Sequence, residues 1–266
     1  MGQEIEQKEA LFHDEWAAQT DISQVDIYAA FEAITSPENR FILKQIGSLQ
    51  GKRILDVGSG LGESSVYFAL KGADVTMVDI SPGMIELALK LGKAYGVELK
   101  GIVANAETLN VPDESFDVIY VANLIHHIQD RERFLLQAYR ALVPGGLFIS
   151  WDPIAYNPVI NVYRRIANKV RTEDERPLTI ADLQLVQRIF GKAEHKEFWL
   201  LTLVLFLKYY LIDRVHPNAD RYWKRILRET PETLPWFLPL QELDEIILRL
   251  PLLRWLAWNI VIWARK

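Results

Sequence analysis

Apolar residues in the first half of the chain alternate between short runs and stretches where they recur every three to four positions. Residues 3–34 carry Leu11, Phe12, Trp16, Val25, Tyr28 and Phe31 among polar neighbours, which predicts a helical, partly amphipathic opening. Ser36-Pro37 then supplies an N-cap and a first-turn proline for a helix striped by Phe41, Ile42, Ile46 and Leu49. Short runs at Ile54–Val57, Asp74–Val78, Leu99–Val103, Val118–Ala122 and Leu147–Trp151 read as strands. Helical patterns separate several of them: Glu63–Leu70, the stretch opened by Ser81-Pro82 (Met84, Leu87, Ala88, Leu91) and the stretch opened by Asp130 (Phe134, Leu135, Ala138, Leu142). Strands alternating with helices predict a parallel sheet with right-handed crossovers.

Beyond residue 152 the pattern changes. A basic amphipathic segment (Tyr163, Arg164, Arg165, Ile166, Lys169, Val170) is followed by the charge cluster Thr172–Arg176 and by Thr179, which reads as an N-cap. A sixth strand is expected within Glu197–Leu203 and a last one at Asn259–Trp263, with more than fifty residues between them. That interval holds Leu205–Ile212, a basic run (Arg214, Arg221, Lys224, Arg225, Arg228), Trp236-Phe237-Leu238 and an apolar helix over Leu240–Leu250. Its uncharged apolar runs reach about ten residues, against the roughly 20 of a spanning helix. The segment reads as a helical cap whose mixture of Trp, Tyr, Lys and Arg also suits a membrane surface.

Charge divides the chain the same way. Residues 1–150 hold 12 Lys and Arg against 21 Asp and Glu, whereas residues 151–266 hold 18 against 14. Six of the eight tryptophans lie beyond residue 190. The absence of cysteine excludes disulfides and thiolate metal sites. With no apolar stretch among the opening residues, the expectation is a cytoplasmic protein, with room for a peripheral membrane contact. Nucleic acid is not an expected partner, because the basic residues are interrupted by Asp213, Asp220 and Glu229 and the overall pI is about 5.6.

Candidate chemistry gathers where the first strand ends. Ile54–Val57 runs into Gly58-Ser59-Gly60-Leu61-Gly62, a turn whose glycines admit positive φ and close approach of a ligand to backbone. A strand, a glycine turn and a helix N-terminus make a nucleotide-binding corner. The spacing is G-x-G-x-G, and Glu63 stands where a dinucleotide fingerprint needs its third glycine, which disfavours an NAD(P) oxidoreductase. Asp79 ends the second strand, at the distance from the turn where such folds place a ribose-binding carboxylate.

The turn with Asp56 before it, Asp79-Ile80-Ser81-Pro82-Gly83-Met84, Asn105-Ala106-Glu107 followed by Ser115-Phe116-Asp117, Leu124-Ile125-His126-His127, and Arg140 to Gly146 resemble, in order, the motifs of class I S-adenosylmethionine-dependent methyltransferases, the ubiquinone/menaquinone type among them. The resemblance implies a Rossmann-like fold: a mostly parallel seven-stranded sheet with helices on both faces, an antiparallel last strand and, here, a cap inserted near the C-terminus. It divides the single domain into a lid region (1–49), a cofactor-binding core (50–152), an acceptor-side helical region including strand six (153–257) and the last strand (258–266).

By the same resemblance S-adenosylmethionine is the cofactor, held by Asp56, Gly58, Ser59, Gly60, Gly62, Asp79, Ile80, Met84, Asn105, Ala106, Glu107, Ala122 and Asn123. Trp16, with Phe12 or Tyr28, would cover the sulfonium side. Asn105 departs from the acid usual in the family, but its amide oxygen still accepts from an amino group. His127 and then His126 are the leading general-base candidates, with His195, His216 and Asp152 behind them. No metal is expected, since no carboxylate or third histidine lies at ligand spacing near the two histidines. The expected acceptor is a small, lipophilic molecule, given the apolar, Trp-rich insertion. A polar acceptor and a family member with a non-methylating role are the alternatives.

Overall fold

A computed structural model of the chain describes residues 2–167 and 175–266. Lys169, Val170 and the Thr172–Asp174 part of the expected charge cluster lie outside the described residues. The opening segment forms α1 (Gly2–Gln19) and α2 (Ile27–Glu32), with Asp26 capping α2 through the amide of Ala29, and α3 (Pro37–Ile46) follows.

The core then alternates: β1 (Arg53–Val57), α4 (Glu63–Leu70), β2 (Asp74–Asp79), α5 (Pro82–Ala94), β3 (Lys100–Val103), β4 (Phe116–Ala122), α6 (Arg131–Ala141) and β5 (Leu142–Pro153). After α7 (Pro158–Ile166) and α8 (Ile180–Phe190) come β6 (Ala193–Phe198), the short α9 (Val204–Leu207), α10 (Tyr222–Arg228), α11 (Thr230–Ile247) and β7 (Asn259–Arg265). The seven strands lie in the order β3-β2-β1-β4-β5-β7-β6. All neighbours are parallel except β7, which runs antiparallel between β5 and β6.

Strand periodicity sorts the core into two layers, one on each face of the sheet. Ile54, Val118, Tyr120 and Ile149 point into one cluster, together with Phe31, Phe68 and Val261. Leu55, Ile119, Val121 and Phe148 point into the other, together with Phe134, Val186 and Ile260.

Several boundaries differ from the sequence expectation: β5, expected over Leu147–Trp151, runs from Leu142 to Pro153. The sixth strand, expected within Glu197–Leu203, runs from Ala193 to Phe198, so only its last two residues fall in that interval. It is the edge strand, and Glu194, His195 and Lys196 give it the polar character that keeps an edge from pairing with other chains, so an apolar run was the wrong signal. Trp199, at φ +68°, turns the chain away. The helix expected over Leu240–Leu250 begins at Thr230 and runs through Pro235 and Pro239 to Ile247.

The insertion between β6 and β7 is a cap whose buried residues continue the core on one face of the sheet, where a core of its own was expected. Tyr209, Tyr222, Ile226 and Phe237 are buried there, and Phe206 and Trp199 pack on Trp258 with ring centroids 5.1 and 5.8 Å apart. Two buried carboxylates fasten it. Glu38 accepts from Trp199 Nε1 at 2.9 Å and from Asn259 Nδ2 at 3.2 Å, while Asp244 accepts from the amides of Leu200, Leu201 and Thr202. Among the described residues no helix is long and apolar enough to cross a membrane.

Candidate active site

The glycine turn is built by its own hydrogen bonds and by Asp79. Gly58, Gly60 and Gly62 all have positive φ, and the Gly58 and Ser59 amides donate to the Val78 carbonyl. Asp79 Oδ2 accepts from the Gly60 amide at 2.9 Å and Oδ1 from the Ser81 amide at 3.0 Å. The carboxylate thus staples the end of β2 to the turn while facing the cavity, and burial raises its pKa. Each oxygen keeps a lone pair for a ribose hydroxyl. Asp56 works from below: Oδ2 accepts from Ser64 Oγ and Ser65 Oγ, both at 2.6 Å, anchoring the first turn of α4. Burial pushes its pKa up to about 6.

A cavity of about 130 Å³ opens at the C-terminal ends of β1, β2 and β4. Of the residues expected to hold the cofactor, Gly58, Gly60, Asp79, Ile80, Asn105, Ala106, Glu107 and Asn123 line it, and so does His127. Asn105 Oδ1 already accepts from the Glu107 amide at 2.8 Å, and Glu107 Oε1 holds the amides of Gln129 and Asp130. Both residues therefore shape the wall as well as facing the space.

Six expected site residues lie elsewhere. Asp56 and Ser59 are buried behind the turn, and Gly62 caps α4 against α5. Ala122, at the end of β4, is absent from the wall. Met84 is fully buried with Leu61, Leu87 and Ala17, away from the cavity wall. Trp16 packs on that same cluster and faces the cap. Phe12 and Tyr28 also miss the cavity, and Tyr28 sits against Tyr67 with centroids 6.2 Å apart.

What covers the cavity instead is one face of α1. Glu6, Glu9 and His13 line it, a spacing of three and four residues that places them in a row. That spacing is present in the sequence, but apolar periodicity does not single it out. Asp14 Oδ1 latches the helix to the N-terminus of α5 by accepting from Ser81 Oγ at 2.5 Å and the Gly83 amide at 2.9 Å.

The two histidines part company. His126 is buried, with Nδ1 2.7 Å from Asp152 Oδ1 and its amide donating to the same oxygen at 3.1 Å. Burial pushes Asp152 up to about 7. His127 lines the cavity with Nδ1 3.2 Å from Glu9 Oε1, and the two imidazole centroids are 4.1 Å apart. His195, paired with Glu197 at 2.5 Å on the sheet edge, and His216, in the cap, line no part of this cavity.

Sequence spacing missed a grouping made by the fold: ligand atoms of His126, His127 and Glu175 lie within 4.8 Å of one another. Glu175 arrives from beyond α7, so local spacing could not show it. Asp152 and Glu9 already engage the Nδ1 atoms of the two rings.

Residues 55–150 match the model of a methyltransferase domain. Phosphoethanolamine N-methyltransferase 1 of Arabidopsis thaliana is 40% identical over 105 residues, 38% of this chain and 21% of that protein. Demethylmenaquinone methyltransferase of Renibacterium salmoninarum is 32% identical over 126 residues, 47% of this chain and 52% of that protein. The chain thus spans about half the length, or less, of these curated relatives. Among solved structures, Haemonchus contortus phosphoethanolamine N-methyltransferase 2 in complex with S-adenosyl-L-methionine is similar at a TM-score of 0.58 and 21% identity, over 86% of this chain and 52% of that one. Its likeness is one of fold. With the glycine turn, the acid ending β2 and the antiparallel last strand all in their expected places, residues 55–150 carry a methyltransferase domain, set in a fold similar to that of S-adenosylmethionine-dependent methyltransferases.

Proposed function

We propose that the protein transfers the sulfonium methyl of S-adenosylmethionine to a small acceptor. The observation that carries this reading is Asp79, which faces the cavity while bonded to the Gly60 amide of the turn. The residues present suit the cofactor. Asp79 would take the ribose hydroxyls, Asn105, Ala106 and Ile80 the adenine, and Gly58 and Gly60 the amino-acid end. The cavity of about 130 Å³ is smaller than the roughly 300–1,000 Å³ of ligand pockets. In this reading α1, which covers the cavity with Glu6, Glu9 and His13, serves as a lid that shifts to admit the cofactor.

In the transfer, the acceptor atom forms a bond to the methyl carbon as the carbon–sulfur bond breaks, leaving the neutral thioether. The cofactor supplies the activated methyl. The chain's contribution is alignment, where well-oriented pairs gain about 7–11 kcal/mol. His127 is placed to take the proton lost by a hydroxyl acceptor, with Glu9 fixing its ring. His126, beneath it and held by Asp152, is a positioning residue.

Calorimetry with S-adenosylmethionine on the wild type, Asp79→Ala and His127→Gln tests these roles. Asp79→Ala should weaken binding at least tenfold. His127→Gln should bind normally and turn over roughly 10²–10⁴-fold more slowly. Wild-type affinity in Asp79→Ala removes the ribose assignment, and wild-type turnover in His127→Gln removes the base.

For the acceptor, the reading that best fits the cap is a lipophilic molecule collected at a membrane surface. Leu252, Ile212 and Trp236 stand 86%, 73% and 67% exposed on it, with Arg249, Arg254 and Arg214 close by in sequence. Apolar side chains beside cations suit an interfacial position. The relatives' named acceptors, a quinone and a phosphobase, differ in polarity and do not decide the matter.

A further inference from the structure

A larger cavity, of about 410 Å³, opens at the far edge of the sheet, between α3, the edge strand β6 and α11. That volume falls within the roughly 300–1,000 Å³ of small-molecule sites. The cavity shares no lining residue with the one at the glycine turn, and three strands separate β6 from β1. A molecule held there is therefore not the one that receives the methyl group.

The floor of this cavity is aromatic. Phe41 packs on Trp263 and Phe198 with ring centroids 5.2 and 5.7 Å apart, and Trp199 packs on Phe237 at 5.3 Å. The charges on its wall do not balance. Every carboxylate there is already engaged: Glu197 with His195 at 2.5 Å, Glu245 with Lys196 at 2.8 Å, and Asp244 with the amides of Leu200, Leu201 and Thr202. Arg249 and Arg254 line the same space, and among the described residues neither makes an ion pair. Arg254 Nη2 donates to the Arg249 carbonyl at 3.3 Å, while its Nε–H is buried without an acceptor. A buried donor left unpaired is costly, and a guanidinium fork matches the two oxygens of a carboxylate or a phosphate.

We propose that this cavity binds a small amphiphilic acid, a carboxylate or phosphate carried on an aryl or alkyl body. The anionic end sits at Arg254 and Arg249, and the body lies on the aromatic floor. Such a ligand touches α3, β6 and α11 at once, so its binding stabilises the cap against the sheet, which is the placement of an effector. The site does not depend on the methyltransferase reading. Two sources share its chemistry, a soluble acid and the anionic head of a bilayer lipid.

The test uses the full chain as wild type, as the double variant Arg249→Gln/Arg254→Gln, and as Gln241→Trp, whose indole fills the cavity. The probes are 1-naphthoate and its uncharged counterpart 1-naphthalenemethanol, followed by calorimetry and by the thermal midpoint. Wild type should bind one 1-naphthoate per chain with a rise in midpoint, and 1-naphthalenemethanol at least tenfold more weakly. The double variant should lose at least tenfold for 1-naphthoate and keep its affinity for 1-naphthalenemethanol, a split that a damaged fold would not give. Gln241→Trp should lose both. Co-sedimentation with anionic vesicles under saturating 1-naphthoate separates the sources: release of the protein assigns the site to a lipid head, and any other result to a soluble acid. The proposal falls if wild type binds 1-naphthoate no more tightly than 1-naphthalenemethanol, or if either variant keeps its 1-naphthoate affinity within twofold of wild type.

Discussion

Gly60 and Gly62 share a turn and a left-handed backbone, yet replacing each by alanine should damage different properties. At Gly62, φ is +82° and an added Cβ would stand 2.5 Å from Ala88 Cβ and 3.0 Å from Ala88 Cα, on α5. Neither neighbour is a flexible side-chain end, so α4 and α5 must separate. The left-handed conformation costs about 1–2 kcal/mol and the overpacking about 1–3, or about 2–5 kcal/mol together. That is a large share of the roughly 5–15 kcal/mol that holds a domain folded. At Gly60, φ is +51° and the added Cβ meets nothing within 4 Å, so only the backbone cost of about 1–2 kcal/mol remains. Gly60 lines the cavity, so its methyl group would occupy the approach to the turn. Urea unfolding followed by circular dichroism should show a lower midpoint for Gly62→Ala at an unchanged slope. Gly60→Ala should lose at least tenfold in S-adenosylhomocysteine affinity with the smaller loss of stability. Equal destabilisation by the two substitutions, or a Gly62→Ala protein within about 1 kcal/mol of wild type, would refute the steric argument.

The buried pair beneath the cavity gives a pH prediction. Burial lifts Asp152 from 3.8 to about 7, so the native protein holds a proton that the unfolded chain releases, and the associated stability is whole below about pH 4 and lost as pH rises through 7. A tenfold difference in proton affinity between the native and unfolded chains is worth about 1.4 kcal/mol. Asp152→Asn should flatten this part of the urea-midpoint profile between pH 5 and 8, and a mutant keeping the wild-type slope would show that the proton resides elsewhere. For the cap, co-sedimentation with anionic vesicles at low salt should retain the protein. Glu at both Leu252 and Ile212 should release it, because burying one such side chain is worth about 1.5–3 kcal/mol. Failure of the wild type to bind those vesicles ends the membrane reading.

The cofactor half of the molecule was legible because its constraints are local. Strand alternation fixes which of Ile54 and Leu55 faces which core, and a glycine turn followed by Ser-Pro and Asp caps is written in consecutive residues. What was not legible in this half is the placement of side chains that depends on a distant partner. Met84 has the spacing of an adenine contact but is claimed by Leu61, Leu87 and Ala17. His126 and His127 are adjacent and chemically identical, and only Asp152, from the end of β5, draws one of them into the core.

The lid and the cap were read as helices without a register, for a related reason. Their long helices, α1 and α11, carry only a weak apolar stripe, which does not say which polar face meets the site. Glu6, Glu9 and His13 form one such face, and Arg221 and Lys224 another. Once placed, they couple the two regions. Helix α1 carries Glu9, beside His127, at one contact, Asp14, latched to α5, at the next, and Trp16, under Arg221 and Lys224 of the cap, at the last. A displacement of α1 would therefore part Glu9 from His127, Asp14 from α5 and Trp16 from the cap together.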